Sequence, residues 1–206
     1  MTEKNIPDVV VSRLPRYLQI LNQMAREGLH TASSLMLAER LGSTASQIRK
    51  DLSLFGEFGK QGQGYSIYYL MEQLQKILHV DRIWKIVVIG AGELGRALTR
   101  YQGFASHGIE IVKLFDKDPK IIGTQVGSLV VQNVDTVAEE IQNKGIKMAI
   151  LTVPGEVAQA TAERLVDAGI RAILNYTPIN LVLPPSVSVQ YIDPVLHLQH
   201  MMYYLG

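Results

Sequence analysis

The sequence contains no cysteine. That absence excludes disulfides, thiolate catalysis and cysteine-bound metal, so any response to redox state must run through a bound cofactor. Long apolar runs are missing too. None reaches about 18 residues, the length a membrane-spanning helix needs. No basic-then-apolar leader opens the chain, so a cytoplasmic protein without membrane contact is expected. Net charge is almost absent, at +1, and bulk charge therefore predicts no attraction to nucleic acid. Any such binding must come from a local patch. Repeats and low-complexity tracts are also lacking, and no metal site is expected.

What is present is enough for two small domains, at 206 residues and 47% hydrophobic. The two halves differ in period. Residues 13 to 80 read as mostly helical. In "RLPRYLQILNQMAREG", Leu14, Leu18, Leu21 and Ala25 share a helical face, and Gly28 stops the helix. "TASSLMLAERLGS" offers Ser33 or Ser34 as an N-cap, with Leu35, Ala38 and Leu41 as its stripe and Gly42 as its end. A third helix begins near Thr44, with Ile48, Leu52 and Phe55 inward and Gly56 closing it. "FGEFGKQGQGYSIYYL" suggests a β-hairpin, and a helix over about Tyr69 to Leu78 follows. From Lys85 onward, "KIVVIG", "IEIVKLFD", "MAILTVP" and "RAILNYTP" read as buried parallel strands, with helices between them. The expected fold is α/β: an N-terminal winged helix-turn-helix over 1–80, then a Rossmann-like doubly wound parallel sheet over 81–193. Residues 194–206 form a separate terminal helix.

Helix, glycine turn, helix and hairpin describe a winged helix-turn-helix, whose second helix enters the DNA major groove. With the stripe facing inward, Ser46, Gln47, Arg49, Lys50 and Ser53 face out. Arg and Lys donate to guanine O6 and N7, Gln pairs with adenine, and Ser reaches phosphates. The hairpin tip carries Lys60 with little side-chain bulk around Gly62 and Gly64, which suits a backbone or a narrow minor groove. An Arg-Lys pair equally suits a plain solvated face; the glycine-rich hairpin directly after the helix tips the reading toward DNA. Asp51 and Glu57 argue the other way, since both repel phosphates, although Asp51 could instead hold a neighbouring cation.

"VVIGAGELG" is a strand running into G-x-G-x-x-G, over Gly90, Ala91, Gly92, Glu93, Leu94 and Gly95. Gly90 permits the tight turn, Gly92 lets the backbone approach a pyrophosphate, and Gly95 lets helix and strand pack closely. The helix N-terminus adds amide donors. The next strand ends at Asp116, which can accept from adenine-ribose hydroxyls and would repel a 2′-phosphate. NAD(H) is therefore preferred over NADP(H) as cofactor, a preference that Lys117 weakens a little. "TVPGE", with Val153 and Pro154, and "NYTP", with Asn175, Tyr176, Thr177 and Pro178, fall at strand ends. There they border a nicotinamide or are ordinary turns, and spacing alone favours turns.

No catalytic residue is expected. The nucleotide fold uses nearly all of the second half, and none of His30, His79, His107, His197 and His200 sits in a catalytic motif. A small NAD-dependent oxidoreductase with an accessory helical domain stays open as the main alternative, and a nucleotide- or CoA-binding regulatory subunit as another. "DPVLHLQHMMYYLG" starts a helix at Asp193 and Pro194 and is apolar nearly all round. Such a helix needs burial on most sides, either in a partner chain or against the sheet.

The order of these parts resembles the Rex redox-sensing transcriptional repressors of bacteria. The likeness rests on "SRLPRYL", "SSLMLAERL", "ASQIRKDLSLFGEFGKQGQGY", "VVIGAGELGRAL", "FDKDPKIIG", "LTVPGEVAQ", "GIRAILNYTP" and "YIDPVLHLQ", and spans essentially the whole chain. The resemblance implies a homodimer with a swapped last helix. It implies binding to double-stranded operator DNA when NADH is low, and release by NADH. By position, Arg49 and Lys50 resemble major-groove contacts, and Lys60, Gly62 and Gly64 a minor-groove wing. Tyr101 and Asp193 resemble a pair that rearranges as NADH binds. Gln61 stands where members often carry a second basic residue. Gln19 stands where some carry an arginine that pairs with the acid matching Asp193; Arg16 lies one helical turn away.

Overall fold

The computed structural model describes residues 6–60 and 63–206. The chain divides into two compact units at Arg82/Ile83.

In the first unit a short helix, α1 (Asp8–Val11), precedes α2 (Leu14–Arg26), which has proline in its first turn, where no amide partner is lost. Leu14, Tyr17, Leu21 and Met24 form the buried face of α2. Leu18 and Ala25 are only partly buried, so the core stripe is rotated toward the two larger side chains. Ser33 caps α3 (Ser34–Leu41), its Oγ accepting from the Met36 amide at 3.1 Å. Within α3 the core residues are Leu37 and Ala38, while Leu35 is 59% exposed, contrary to expectation. Positions 37, 38 and 41 subtend about 100° on a 3.6-residue helix, a tighter arc than the roughly 120° of 35, 38 and 41. Thr44 caps α4 (Ala45–Ser53) by accepting from the Gln47 amide, and Ile48 and Leu52 anchor it in the core.

A three-stranded antiparallel sheet in the order β1-β3-β2 closes this unit, built from β1 (Thr31–Ala32), β2 (Gly59–Lys60) and β3 (Gly64–Ser66). The hairpin was legible; β1, two residues long, was not. Its approach explains Gly64. A Cβ there would stand 2.6 Å from the Ala32 carbonyl oxygen, and the backbone has φ +72°. Helix α5 (Ile67–Ile77) follows and buries Ile67, Leu70 and Leu74.

The second unit is a seven-stranded sheet in the order β10-β9-β8-β4-β5-β7-β6. Its strands are β4 (Trp84–Ile89), β5 (Ile109–Asp116), β6 (Gln125–Val126), β7 (Leu129–Asn133), β8 (Met148–Leu151), β9 (Ala172–Asn175) and β10 (Ser188–Tyr191). All pairings are parallel except β6 with β7. The first strand, β4, is central, with β5 on one side and β8 on the other. This is the dinucleotide-fold order, and the crevice beyond the β4 and β8 ends is its switch point. Alternate residues feed two cores. Val87, Ile89, Ala149 and Leu151 pack with residues of α7 (Val137–Lys144) and α8 (Gly155–Ala168). Ile86, Val88 and Ile150 pack in a second cluster against Leu98 of α6 (Glu93–Arg100). Helix α9 (Pro194–Tyr203) buries none of its residues.

Candidate functional site

The glycine loop is held at the switch point by its neighbours. The Gly90 amide donates to the Phe115 carbonyl at 2.8 Å, and the Thr152 hydroxyl donates to the carbonyls of Ile89 and Gly90 at 3.0 and 2.9 Å. Gly90 has φ +102°, and a Cβ on it would meet the Thr152 oxygen at 2.5 Å. A Cβ on Gly95 would overlap the Gly90 carbonyl oxygen. At Gly92, by contrast, a Cβ would meet nothing within 4 Å. The first and third glycines are thus needed for packing, and the second opens onto free space. No side chain caps α6, so amides of its first turn, around Glu93 and Leu94, remain for an anionic ligand. This cradle fits a diphosphate.

Asp116 ends β5, as the glycine-loop reading requires. Its carboxylate already accepts from the Ala91 amide at 2.6 Å and the Asp118 amide at 2.9 Å. Both carboxylate oxygens keep a second lone pair. Arg96, which sequence reasoning passed over, donates from Nε to the Ala91 carbonyl at 2.8 Å and from Nη2 to Thr124 at 3.2 Å. Its place directly after the third glycine was the available signal. Thr152 was seen only as part of a strand end.

At the β8 and β9 ends, Val153 is half-buried and Pro154 exposed. Asn175 is fully buried; its Oδ1 accepts from the amide and hydroxyl of Thr177, and its Nδ2 donates to the Ile179 carbonyl. The polar groups of Asn175 are thus occupied in building a turn. Tyr176 is partly buried and Pro178 exposed.

On α4, Ser46, Arg49, Lys50 and Ser53 are exposed and Gln47 is half-buried. Arg49 donates to the Ser34 hydroxyl at 2.9 Å, and the Ser53 hydroxyl turns back to the Lys50 carbonyl. Asp51 does not face phosphates; it is 1% exposed. It accepts two bonds from Arg13, both 2.7 Å, one from the Tyr17 hydroxyl at 2.5 Å and one from Gln47 Nε2 at 2.6 Å. Burial pushes its pKa up, but the bonds from Arg13, Tyr17 and Gln47 outweigh burial and hold it below the usual carboxylate range. Burial and the neighbouring carboxylate push the Tyr17 hydroxyl up to about 12. Gly64 lies in β3, while Gln61 and Gly62 lie outside the described residues, as does the Lys60 side chain.

Family models match both halves, as "CoA binding domain" over residues 81–179 and "Putative DNA-binding protein N-terminus" over residues 5–53. Among relatives, a redox-sensing transcriptional repressor Rex of Chloroflexus aggregans is 51% identical, covering 97% of this chain and 94% of its own. One from Clostridium botulinum is 39% identical over 91% of this chain and 89% of its own. The chain belongs to the Rex family of redox-sensing transcriptional repressors. Among solved structures, RSP, a Rex-family repressor, in complex with β-NAD⁺ and operator DNA superposes with a TM-score of 0.93. It is 38% identical and covers 98% of this chain and 94% of its own. RSP with β-NADH gives 0.90 at 36% identity, over 98% and 95%.

Within this Rex chain, no hydrogen bond joins Tyr101 to Asp193 among the described residues. Tyr101 is 61% exposed and packs edge-on against Phe104. Asp193 caps α9, accepting from the Val195 amide at 2.9 Å. A cavity of about 310 Å³, lined by Thr99, Tyr101, Phe104, Ile109 and Ile111, opens where β5 begins. It is at the far end of that strand from Asp116. Among the described residues, no cluster of three or more His, Asp or Glu could hold a metal, and no helix is long and apolar enough to cross a membrane.

Proposed function

We propose that this chain is a cytoplasmic repressor that binds operator DNA as a homodimer when NADH is low and is released when NADH binds. One observation carries the reading. A glycine cradle open at Gly92 and a solvent-facing Arg49–Lys50 helix occur in one chain that superposes over 98% of its length on RSP with β-NAD⁺ and operator DNA. Residues 1–80 are the DNA-binding domain, 81–193 the NAD(H)-binding domain and 194–206 the swap element. On DNA, Arg49, Lys50, Gln47 and Ser46 face the major groove and Ser53 the backbone. Lys60, Gly62 and Gly64 form the wing. The α9 side chains of Leu196, Met201, Met202 and Tyr203 are 62%, 59%, 62% and 80% exposed, so a partner chain is what buries them.

The amides of Gly92 to Gly95 would hold the cofactor diphosphate, and Asp116 the adenine ribose. Val153, Pro154 and the turn from Asn175 to Pro178 would border the nicotinamide. When bound, the cofactor supplies a ring that is positively charged as NAD⁺ and neutral as NADH. The diphosphate and ribose contacts are common to both forms, and equal binding shifts no equilibrium. Discrimination therefore belongs to the residues around the ring, with Tyr101 and Asp193 changing partners between the two forms. Changing the occupancy of the DNA-competent state from 99:1 to 1:99 requires roughly 5.5 kcal/mol of differential binding, which two sites per dimer share. In this reading the chain turns over no substrate. The test is a gel-shift series at fixed salt with NADH and NAD⁺. NADH-dependent release supports the reading; DNA affinity indifferent to NADH, or turnover of a small alcohol or aldehyde, overturns it.

A further inference from the structure

Asp51 is a buried carboxylate on the helix that presents the DNA-facing side chains. Arg13 and Tyr17 supply three of the hydrogen bonds its two oxygens accept, and Gln47, one helical turn earlier on α4, supplies the fourth. A carboxylate has about four lone-pair positions, so this set fills it. Because a carboxylate only accepts, the contact also fixes which end of the Gln47 amide is nitrogen. Gln47 retains one N–H and its Oε1, and neither has a partner among the described residues. One donor and one acceptor in a fixed plane are what an adenine N7 and N6 edge requires.

We propose that Asp51 is a positioning residue for base recognition: it holds the Gln47 amide in one orientation, so that α4 prefers adenine at the base pair Gln47 faces. The inference rests on the repressor reading above and adds a source of sequence preference to it. A free glutamine samples both amide orientations and many rotamers, and it loses that freedom on meeting a base. Here the freedom is already lost before DNA arrives. The bidentate grip of Arg13 and the Tyr17 hydroxyl keep the carboxylate from rotating, so the orientation is inherited from α2 rather than from α4 alone.

The probe is a duplex selected from a randomised pool by the unaltered protein, together with its single-base-pair variants. Gln47→Ala should lower discrimination at one A·T position by about tenfold, the effect of losing one two-bond base contact. Asp51→Asn, which can face Gln47 with either a donor or an acceptor, should lower discrimination at that same position. It should do nothing further in a Gln47→Ala background, and the salt dependence of binding should be unchanged because phosphate contacts are intact. A uniform loss across all duplexes, or an equal further loss in the Gln47→Ala background, would reduce Asp51 to a structural role and overturn the proposal. If Asp51→Asn does not fold, ¹⁵N relaxation of the Gln47 side-chain amide in the unaltered, DNA-free protein decides. An order parameter near the rigid value of about 0.85 supports the lock, and one below about 0.6 sinks it. Wild-type preference in Gln47→Ala while Arg49→Ala weakens binding removes Gln47 as a reader but leaves the repressor reading standing. A protein that selects no duplex from the pool removes both.

Discussion

At the end of β4 the groups offered to a ligand are backbone amides, whereas on α4 they are side chains. The two surfaces are prepared differently. Around the glycine loop, preparation is steric: Gly90 and Gly95 are small because Thr152 and the Gly90 carbonyl leave no room for a Cβ. On α4, preparation is electrostatic: a buried carboxylate gathers Arg13, Tyr17 and Gln47. Backbone geometry tolerates almost no substitution, since an added carbon meets an immovable atom. A side-chain network can lose one bond while the backbone that carries it stays in place. The two surfaces should therefore fail in different ways, abruptly at the loop and gradually on the helix.

The sharpest test is Gly95→Ala. The added carbon collides with the Gly90 carbonyl oxygen, a backbone atom on the adjoining strand end. Overpacking of this kind costs typically 1–3 kcal/mol and displaces the loop from the diphosphate position. NADH binding by calorimetry is expected to vanish, while operator binding in a gel shift persists and no longer responds to NADH. Retained NADH affinity would show that the packing between α6 and β4 yields, and the contrast between the two surfaces would fail. Gly92→Ala is the control. Nothing lies near its Cβ, so it should fold normally and weaken only the cofactor.

The same difference governs what was legible in the sequence. The glycine loop was readable because sterics leave a residue-type signature: three glycines after an apolar strand, then an acid at the next strand end. Helix α4 was readable as a helix with Arg49 and Lys50 on its exposed face. For Asp51 two readings stood open, a charge repelling phosphates or an acid holding a neighbouring cation; it holds Arg13, 38 residues away, which no local spacing pointed to. Long-range pairing of this sort leaves no local pattern. Strands β1, β6, β7 and β10 were missed for a related reason: their pairing partners, rather than an uninterrupted apolar run of their own, define them. Leu35 was misplaced because an i, i+3, i+6 spacing fits more than one face. Asn175 was placed beside the nicotinamide with turn chemistry as the alternative; its side chain is occupied in the turn, whatever the backbone around it contacts.

Removal of residues 194–206 tests a third kind of surface, one whose proposed partner is another copy of the chain. Sedimentation should show monomers. Operator affinity should fall by about 10²–10⁴-fold, because two linked half-site contacts become independent. A truncated protein of dimer mass would place the assembly surface elsewhere. Arg49→Ala is expected to be milder, costing about 1–3 kcal/mol in operator binding if it reads a base. It also frees the Ser34 hydroxyl, which is half-exposed and can be solvated. Affinity equal to wild type would remove Arg49 from the interface. Asp116→Ala should weaken NADH and NAD⁺ alike, by roughly 1.5–3 kcal/mol for a charge-assisted contact. An effect on only one form would mean that the acid senses the ring and not the ribose.

The smallest effect separates the two preparations by pH. Asp51 has its pKa held below the ordinary carboxylate value by its three donors, despite burial. Its contribution to stability is fully present above the unfolded-state pKa of about 3.9 and is lost as pH falls through the lower folded value. Tyr17 runs the other way. Its hydroxyl is pushed up to about 12, so its contribution is present below pH 10 and lost as pH rises from about 10 to 12. The winged unit should therefore lose stability at both extremes, through one shared network. Thermal melts from about pH 5 to pH 2 and from about pH 9 to pH 12 follow it, read by a probe in the first unit. Asp51→Asn should flatten the acid limb, and Tyr17→Phe the alkaline one. The glycine loop is held by Thr152, by the Phe115 carbonyl and by Asp116, with no tyrosine among them, so the NADH cradle should not share the alkaline limb that Tyr17 sets. A Tyr17→Phe protein with an unaltered alkaline limb would show that the hydroxyl is not the group that titrates.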